Sequence, residues 1–223
     1  MSFLVKKLDS HYRKYSKHFQ GQEAHAYGYA AIVLPDVYMQ DRYGDVHVID
    51  QHILEMDSRT IRELTNIERS CSVIASARLL SYLSSVSIEE FLNKSFYYAR
   101  RKLFSPRLGT IPFFLSSILN KLIQTSPHLE RYKAHASYDW NFELIKSCID
   151  ANLPLIMNIM RGYYANHSIT ICGYKTYRTH RGDIHLLAIY DGWHKGVRYL
   201  DLSAFETDYC AGAVASFNWI APR

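Results

Sequence analysis

One cysteine of this 223-residue chain lies where a nucleophile would be expected. Cys71 directly follows Ser70, a candidate N-cap, and precedes apolar residues that recur at helical spacing as far as Leu83. In the first turn of a helix, unpaired main-chain N–H groups and the positive end of the helix dipole favour a thiolate over a thiol. The same N–H groups can bind the oxyanion that forms when a thiolate attacks a carbonyl group. This position therefore predicts a reactive cysteine.

The other three cysteines lack that setting, because Cys148 lies on a predicted helix, Cys172 within a predicted strand and Cys210 in an irregular stretch. In a reducing compartment all four would be free thiols. No Cys-x-x-Cys pair is present and the histidines show no ligand spacing, so neither a metal ion nor another cofactor is expected.

A thiol nucleophile needs a base, and His167 is the predicted one. It stands at the start of an alternating strand, residues 168–174, which would hold it while its ring points into a cleft. The base needs an acceptor that orients it, and Asp191 ends the strand that returns from the turn Arg181–Asp183. Antiparallel pairing of these strands would bring Asp191 beside His167. The three residues then form a Cys-His-Asp triad.

The elements that must position these residues fall into two consecutive groups. Periodicity and capping patterns predict four helices. They are one from Ser70 to Leu83, one from Ser87 towards Tyr97 or Tyr98, one capped by Thr110 that extends to Ile123, and Trp140–Ala151, capped by Asp139. Alternation and turn residues predict antiparallel strands over residues 155–160, 168–174, 184–190, 197–202 and 217–220. Helices first and antiparallel strands second is an α+β order, and one domain is expected for residues 1–223 because no linker or repeat divides them.

The first 60 residues are predicted to form an N-terminal extension ahead of a catalytic core at residues 65–205. Within the extension, Asp41–Asp45 is typical of a turn between Val37–Met39 and Val46–Ile49, which predicts a β-hairpin. Residues 58–64 are predicted to form a short helical turn.

The composition excludes several classes of protein. Lys and Arg number 26 against 21 Asp and Glu, and the resulting charge of +5 is spread along the chain, so no nucleic-acid partner is expected. No apolar run approaches the roughly 20 residues that a membrane-spanning helix needs, and the basic N-terminus lacks the apolar region of a secretion signal. A cytoplasmic protein without a transmembrane segment is expected.

Four stretches resemble, in the same order, those of the C39-like peptidases, which are cysteine proteases of papain-like fold. They are the nucleophile helix Ser70–Leu83, the helix and strand at 140–157, the His-plus-Gly-Tyr strand His167–Tyr174 and the Asp-x-Trp turn Tyr190–Trp193. The resemblance covers roughly residues 60–205 and implies an N-terminal helical half that carries the nucleophile and a C-terminal antiparallel sheet that carries the His and the Asp. It also implies a cysteine peptidase that cleaves a peptide or protein through a Cys71 thioester, with His167 as base and Asp191 as orienter.

The chain departs from the family pattern around the cysteine. Ser70 and Ser72 stand where family members usually carry Gly or an acidic residue. Thr65 occupies the place of the oxyanion-stabilising Gln of papain-like enzymes, and the amide of Asn66 is the expected substitute. Two alternatives therefore stay open: a papain-fold acyl or amide transferase, and a non-catalytic protein that keeps the fold and binds peptides.

In a papain-like arrangement the substrate cleft lies between the helical and the sheet halves. The loop Ser105–Gly109 and the stretch Gly162–Tyr164 would border it, and aromatic residues such as Phe113 and Phe114 precede the base strand. These features predict an extended peptide substrate with apolar side chains near the scissile bond.

Overall fold

The structure is a computed structural model that describes residues 29–67, 69–101, 109–139, 141–160, 163–203 and 214–223. Several predicted features lie outside these ranges: residues 1–28, Ser105–Leu108, Trp140, Gly162 and Cys210. Among the described helices, none has the length and apolar character needed to cross a bilayer.

Helices make up most of the described chain before residue 151. They are α1 (Pro35–Tyr43), α2 (Ile61–Leu64), α3 (Cys71–Ser84), α4 (Ile88–Arg100), α5 (Leu115–Gln124) and α6 (Phe142–Asp150). Short 3₁₀ turns at Pro112–Phe114 and Pro127–Leu129 flank α5. The apolar faces of α3, α4 and α5 share one buried core, which also includes Ile156 and Ile220 from the sheet.

The described strands form one antiparallel sheet. They are β1 (His47–Ile53), β2 (Tyr132–Ser137), β3 (Leu155–Ile159), β4 (His167–Thr179), β5 (Gly182–Tyr190), β6 (Arg198–Asp201) and β7 (Val214–Pro222). The strand order is β2-β7-β3-β4-β5-β6, and β1 pairs with the second half of β4. The helical core covers one face of this sheet, and α6 packs with a second core on the opposite face.

The register of the sheet determines where the candidate triad lies. His167 at the start of β4 is paired with Ile159 at the end of β3. Thr170 of β4 is paired with Tyr190, the last residue of β5. The start of β4 and the end of β5 therefore meet at one edge of the sheet, and α3 packs against β4 so that its first residue, Cys71, can reach the same edge.

The predicted hairpin in the N-terminal extension is wrong. Residues 37–39 belong to α1 rather than to a strand, and only the second predicted strand exists, as β1, which pairs with β4. Pro35 and Asp36 suit the first turn of a helix, and Tyr38 is among the α1 side chains buried against the rest of the molecule. The helix ends at Gly44, which takes a φ of 77° that favours glycine.

Several predicted helix starts also differ. Asn141, not Asp139, caps α6, because its side chain accepts hydrogen bonds from the main-chain N–H groups of Glu143 and Leu144 at 2.9 and 3.3 Å. Thr110 does not start a helix, since the turn at Pro112–Phe114 comes first and α5 begins only at Leu115. Helix α4 begins as predicted, but the Ser87 side chain makes no capping bond.

Strand β2 was not expected from the sequence, since its hydrogen-bond partner is the distant strand β7. The larger order is confirmed: a helical layer that begins with Cys71, followed by an antiparallel sheet that carries His167 and Asp191. The predicted α+β class is therefore correct.

Candidate active site

Cys71 is the first residue of α3, as the sequence predicts. The first hydrogen bond of the helix runs from the Ile74 N–H to the Ser70 carbonyl at 2.9 Å, so the N–H groups of the three residues before Ile74 have no partner within the helix. Ser70 precedes the helix, but its hydroxyl makes no capping bond. The N–H groups of Ser72 and, from β4, of Ser168 donate to the Cys71 sulfur. The thiol therefore lies among main-chain donors that stabilise negative charge.

Cys71 and His167 form a hydrogen-bonded pair. Burial raises the pKa of the Cys71 thiol, but the charge of His167, its hydrogen bond and the two main-chain donors outweigh burial and lower this pKa. Burial lowers the pKa of His167, but the charge and hydrogen bond of Cys71 and the carbonyl of Asp191 outweigh burial and raise it. The surroundings thus favour a thiolate beside an imidazolium. Cys71 remains partly exposed, whereas His167 is only 5% exposed.

The ring of His167 is oriented by a main-chain group. Its Nε2 lies 2.5 Å from the carbonyl oxygen of Asp191, and because a carbonyl oxygen only accepts, Nε2 must donate. In the neutral imidazole this leaves Nδ1 as the nitrogen without a proton, ready to accept one from Cys71. Trp193 stacks on the imidazole with 4.3 Å between ring centroids and covers that side of the ring.

The carboxylate of Asp191 does not contact His167 in the way the sequence suggests. It is buried and accepts hydrogen bonds from the Tyr164 hydroxyl at 2.9 Å, from His194 Nδ1 at 2.7 Å and from the N–H groups of Trp193 and His194, both at 2.9 Å. All these donors belong to the turn after β5 or to the segment before β4. The structure thus brings Asp191 beside His167, but its side chain organises the surrounding loops while its carbonyl meets the imidazole.

The turn after Asp191 is also fixed from the helical side. The N–H of Ile61, the first residue of α2, donates to the Gly192 carbonyl at 2.7 Å. Gly192 has a φ of +74°, and a Cβ there would lie 2.9 Å from side-chain atoms of Ile61. The close approach of α2 requires glycine at this position and holds the Asp191 carbonyl in place.

A buried arginine, not among the residues predicted from the sequence, connects α3 to the segment before α2 and to β4. Arg78 is 2% exposed and lies two turns after Cys71. Its guanidinium donates to the carbonyls of Asp57 and Arg59, both at 2.8 Å, and its Nη1 lies 3.5 Å from the Thr170 hydroxyl of β4. A charged residue within an apolar helix face was the available signal, because such a residue is buried only where it has partners.

Asn66 is exposed in the bend before α3, and its side chain makes no hydrogen bond with other described residues. The Thr65 hydroxyl accepts a bond from the Ile67 N–H at 3.1 Å and is thus engaged locally. Among the described residues, neither side chain forms a hydrogen bond with Cys71. The role of Asn66 as an oxyanion donor stays a prediction.

Burial dominates the pKa of the other two described cysteines, although the charge of Arg78 opposes it at Cys172. Burial raises the pKa of Cys148 to about 11 and that of Cys172 to about 12. Across the described parts of the chain, no cluster of three or more His, Cys, Asp or Glu side chains could hold a metal ion.

The predicted walls of a substrate cleft are found only in part. Phe113 is 69% exposed, and Gly109, the end of the predicted loop, lies against Arg69, two residues before Cys71. Tyr164 is buried and cannot line a cleft. Tyr163 is half-buried with its ring 5.8 Å from that of Trp193.

Comparison with protein-family models finds no match, and comparison with curated proteins finds none either. Among solved structures, the chain is similar to a protein described as a putative C39-like peptidase from Bacillus anthracis. The two share 14% sequence identity over 78% of this chain and 99% of the other, with a TM-score of 0.46. That description names the same family that the sequence stretches of this chain resemble.

Proposed function

We propose that the protein is a cysteine peptidase-like hydrolase that cleaves peptide or amide bonds. The observation that carries this proposal is the Cys71–His167 pair, in which a thiol at a helix N-terminus is hydrogen-bonded to an oriented imidazole. A lowered thiol pKa beside a raised imidazole pKa is the combination that activates a cysteine nucleophile at neutral pH.

The reaction would begin with attack of the Cys71 thiolate on the carbonyl carbon of the scissile bond. A C–S bond forms, and the carbonyl oxygen takes the negative charge beside the main-chain N–H of Cys71, with the Asn66 amide as a predicted second donor. When the C–N bond breaks, the His167 imidazolium gives its Nδ1 proton to the leaving amine. A thioester and a neutral imidazole remain.

Water completes the cycle. His167 Nδ1 accepts a proton from water, whose oxygen attacks the thioester carbonyl, and the thiolate leaves as the acid product forms. The Asp191 carbonyl would keep Nε2 protonated throughout, so that Nδ1 always faces the reacting atoms. In this proposal Asp191 orients the base through its main chain, and its carboxylate holds the turn.

An acyl or amide transferase is the second candidate, because the same thioester can be opened by an amine instead of water. A non-catalytic peptide-binding protein is the third, favoured by Ser70 and Ser72 beside the cysteine and by the lack of the family's Gln at position 65.

A mixed peptide library tests the three candidates together. The full chain is incubated with the library, with and without an added amine such as glycinamide, and Cys71→Ala serves as the blank. New free C-termini that need Cys71 support hydrolysis, and products that carry the amine in its presence support transfer. If no product depends on Cys71 under either condition, both enzymatic proposals fail and the binding protein is favoured.

A further inference from the structure

A continuous chain of polar side chains crosses the sheet beneath the helical layer. It links β4, β3, β7 and α5, and its members are Ser168, Asn158, Ser216, Asn218 and Ser116. Asn158 is 2% exposed, and Ser216 and Asn218 are fully buried. Neighbouring residues on β3 and β7 are apolar and belong to the two buried cores.

The donors of this chain all point in one direction. The Ser168 hydroxyl donates to Asn158 Oδ1 at 2.6 Å, Asn158 Nδ2 donates to Asn218 Oδ1 at 2.8 Å, and Asn218 Nδ2 donates to the Ser116 hydroxyl at 2.8 Å. The Ser216 hydroxyl braces the middle, accepting from Asn158 Nδ2 at 3.0 Å. Hydrogen bonds aligned head to tail in a low dielectric polarise and strengthen one another.

Such a chain is not a general requirement for a stable fold. Apolar side chains of similar shape can replace a buried hydrogen-bonded pair at nearly no cost in the free energy of unfolding. A buried, fully paired polar network is therefore best explained by what it holds in place. One end of the network is Ser168, the residue after His167. The main-chain N–H of Ser168 donates to the Cys71 sulfur.

Within the sheet, Ser168 has a neighbouring strand on one side only. Ser168 is paired with Asn158 of β3, whereas the pairing of β4 with β5 begins only at Thr170. The hydroxyl bond from Ser168 to Asn158 adds a second restraint at this half-supported end of the strand. The restraint acts on the residue whose N–H faces the nucleophile.

We propose that the hydrogen-bond chain from Ser168 to Ser116 positions the Ser168 main-chain N–H against the Cys71 sulfur. Asn158, at its centre, is a positioning residue that acts on the nucleophile through Ser168. This inference rests on the proposed function, because it concerns the thiolate of that reaction.

The pH dependence of Cys71 alkylation by iodoacetamide tests the inference in the full chain. The rate constant is measured between pH 5 and 10 by peptide mapping, for the natural protein and for Asn158→Leu and Ser168→Ala. Loss of one well-placed donor should shift the midpoint upward by about 0.5–1 pH unit, a three- to tenfold loss of thiolate below the midpoint. The titratable partner of Cys71, His167, and the charged groups near that histidine and on α3, namely Asp191, His194 and Arg78, are unchanged in both variants.

Met39→Ala is the matched control, because Met39 is fully buried in the separate core that α1 forms, and α1 contributes no residue to the hydrogen-bond chain. It should lower stability without moving the alkylation midpoint. Ser168→Ala removes only the half-buried hydroxyl and keeps the N–H, so it decides the question if Asn158→Leu does not fold.

Two results overturn the inference: an unchanged midpoint in Ser168→Ala, or an equal shift in Met39→Ala. A midpoint of the natural protein in the ordinary thiol range near 8.5 contradicts the activated thiolate, and with it both the proposed function and this inference. A low natural midpoint that Ser168→Ala leaves unchanged contradicts the positioning role alone.

Discussion

At the scale of single residues, the three described thiols differ in their surroundings as well as in exposure, since Cys71 is partly exposed and the other two are buried. Cys148 and Cys172 have pKa values that burial raises to about 11 and about 12, whereas His167 and main-chain donors lower that of Cys71. A brief iodoacetamide pulse at pH 6.5 should therefore label Cys71 at least about tenfold faster than either of the others. Mass spectrometry of the digested protein measures this, and labelling in urea corrects for peptide detection. Equal labelling of the three in the folded protein would contradict the assignment.

Asp191 offers a sharper test, because two of its groups could orient the base. If the main-chain carbonyl does so, Asp191→Asn should keep peptide cleavage within about tenfold of the natural rate, since an Asn Oδ1 can still accept from the N–H groups of Trp193 and His194. An enzyme whose carboxylate orients the histidine loses about 10⁴-fold in kcat on the same change.

Asp191→Ala is the companion variant. It removes the acceptor for the turn as well as for Tyr164, so we expect a larger loss of kcat than in Asp191→Asn. A loss near 10⁴-fold in Asp191→Asn itself would show that the carboxylate, not the carbonyl, orients His167.

At the scale of the elements, local signals predicted what local interactions build. Helix α3 follows from the apolar spacing after Cys71, and the β4–β5 hairpin follows from the turn residues at Arg181–Asp183. Helix α1 was missed because Val37–Met39 has the composition of a strand, although Pro35 and Asp36 suit the start of a helix and Gly44 its end. Strand β2 depends on pairing with residues about 85 positions later, which no local pattern carries.

Arg78 shows how one side chain fixes the relation between elements. Arg78→Met removes a buried guanidinium that donates to two partly buried carbonyls and should lower the free energy of unfolding by roughly 2–5 kcal/mol. Urea unfolding followed by circular dichroism measures the change. The control is Arg59→Met, since the side chain of Arg59 forms its ion pairs with Asp57 and Glu89 near the surface and should matter far less. Equal losses in the two variants would contradict the role given to Arg78.

At the scale of the whole molecule, the site exists only where the helical layer and the sheet meet. The chain order was enough to predict that Cys71, His167 and Asp191 come together, because a helix N-terminus and one hairpin deliver all three. It could not predict which atoms of Asp191 meet the imidazole, since this depends on the donors of Tyr164 and on a turn clamped by α2.

The alkylation rate of Cys71 in His167→Ala tests the central claim most directly, because it asks whether the sheet activates the thiol of the helix. Without the imidazole, burial should raise the Cys71 pKa above its ordinary value, as it does for Cys148. We expect alkylation at pH 6.5 to slow by at least about tenfold, since an adjacent opposite charge shifts a pKa by about 1–3 units. The midpoint of thermal unfolding, which falls by about 2–4 °C per kcal/mol in a protein of this size, is the control for folding. An unchanged alkylation rate in a folded His167→Ala protein would contradict the account.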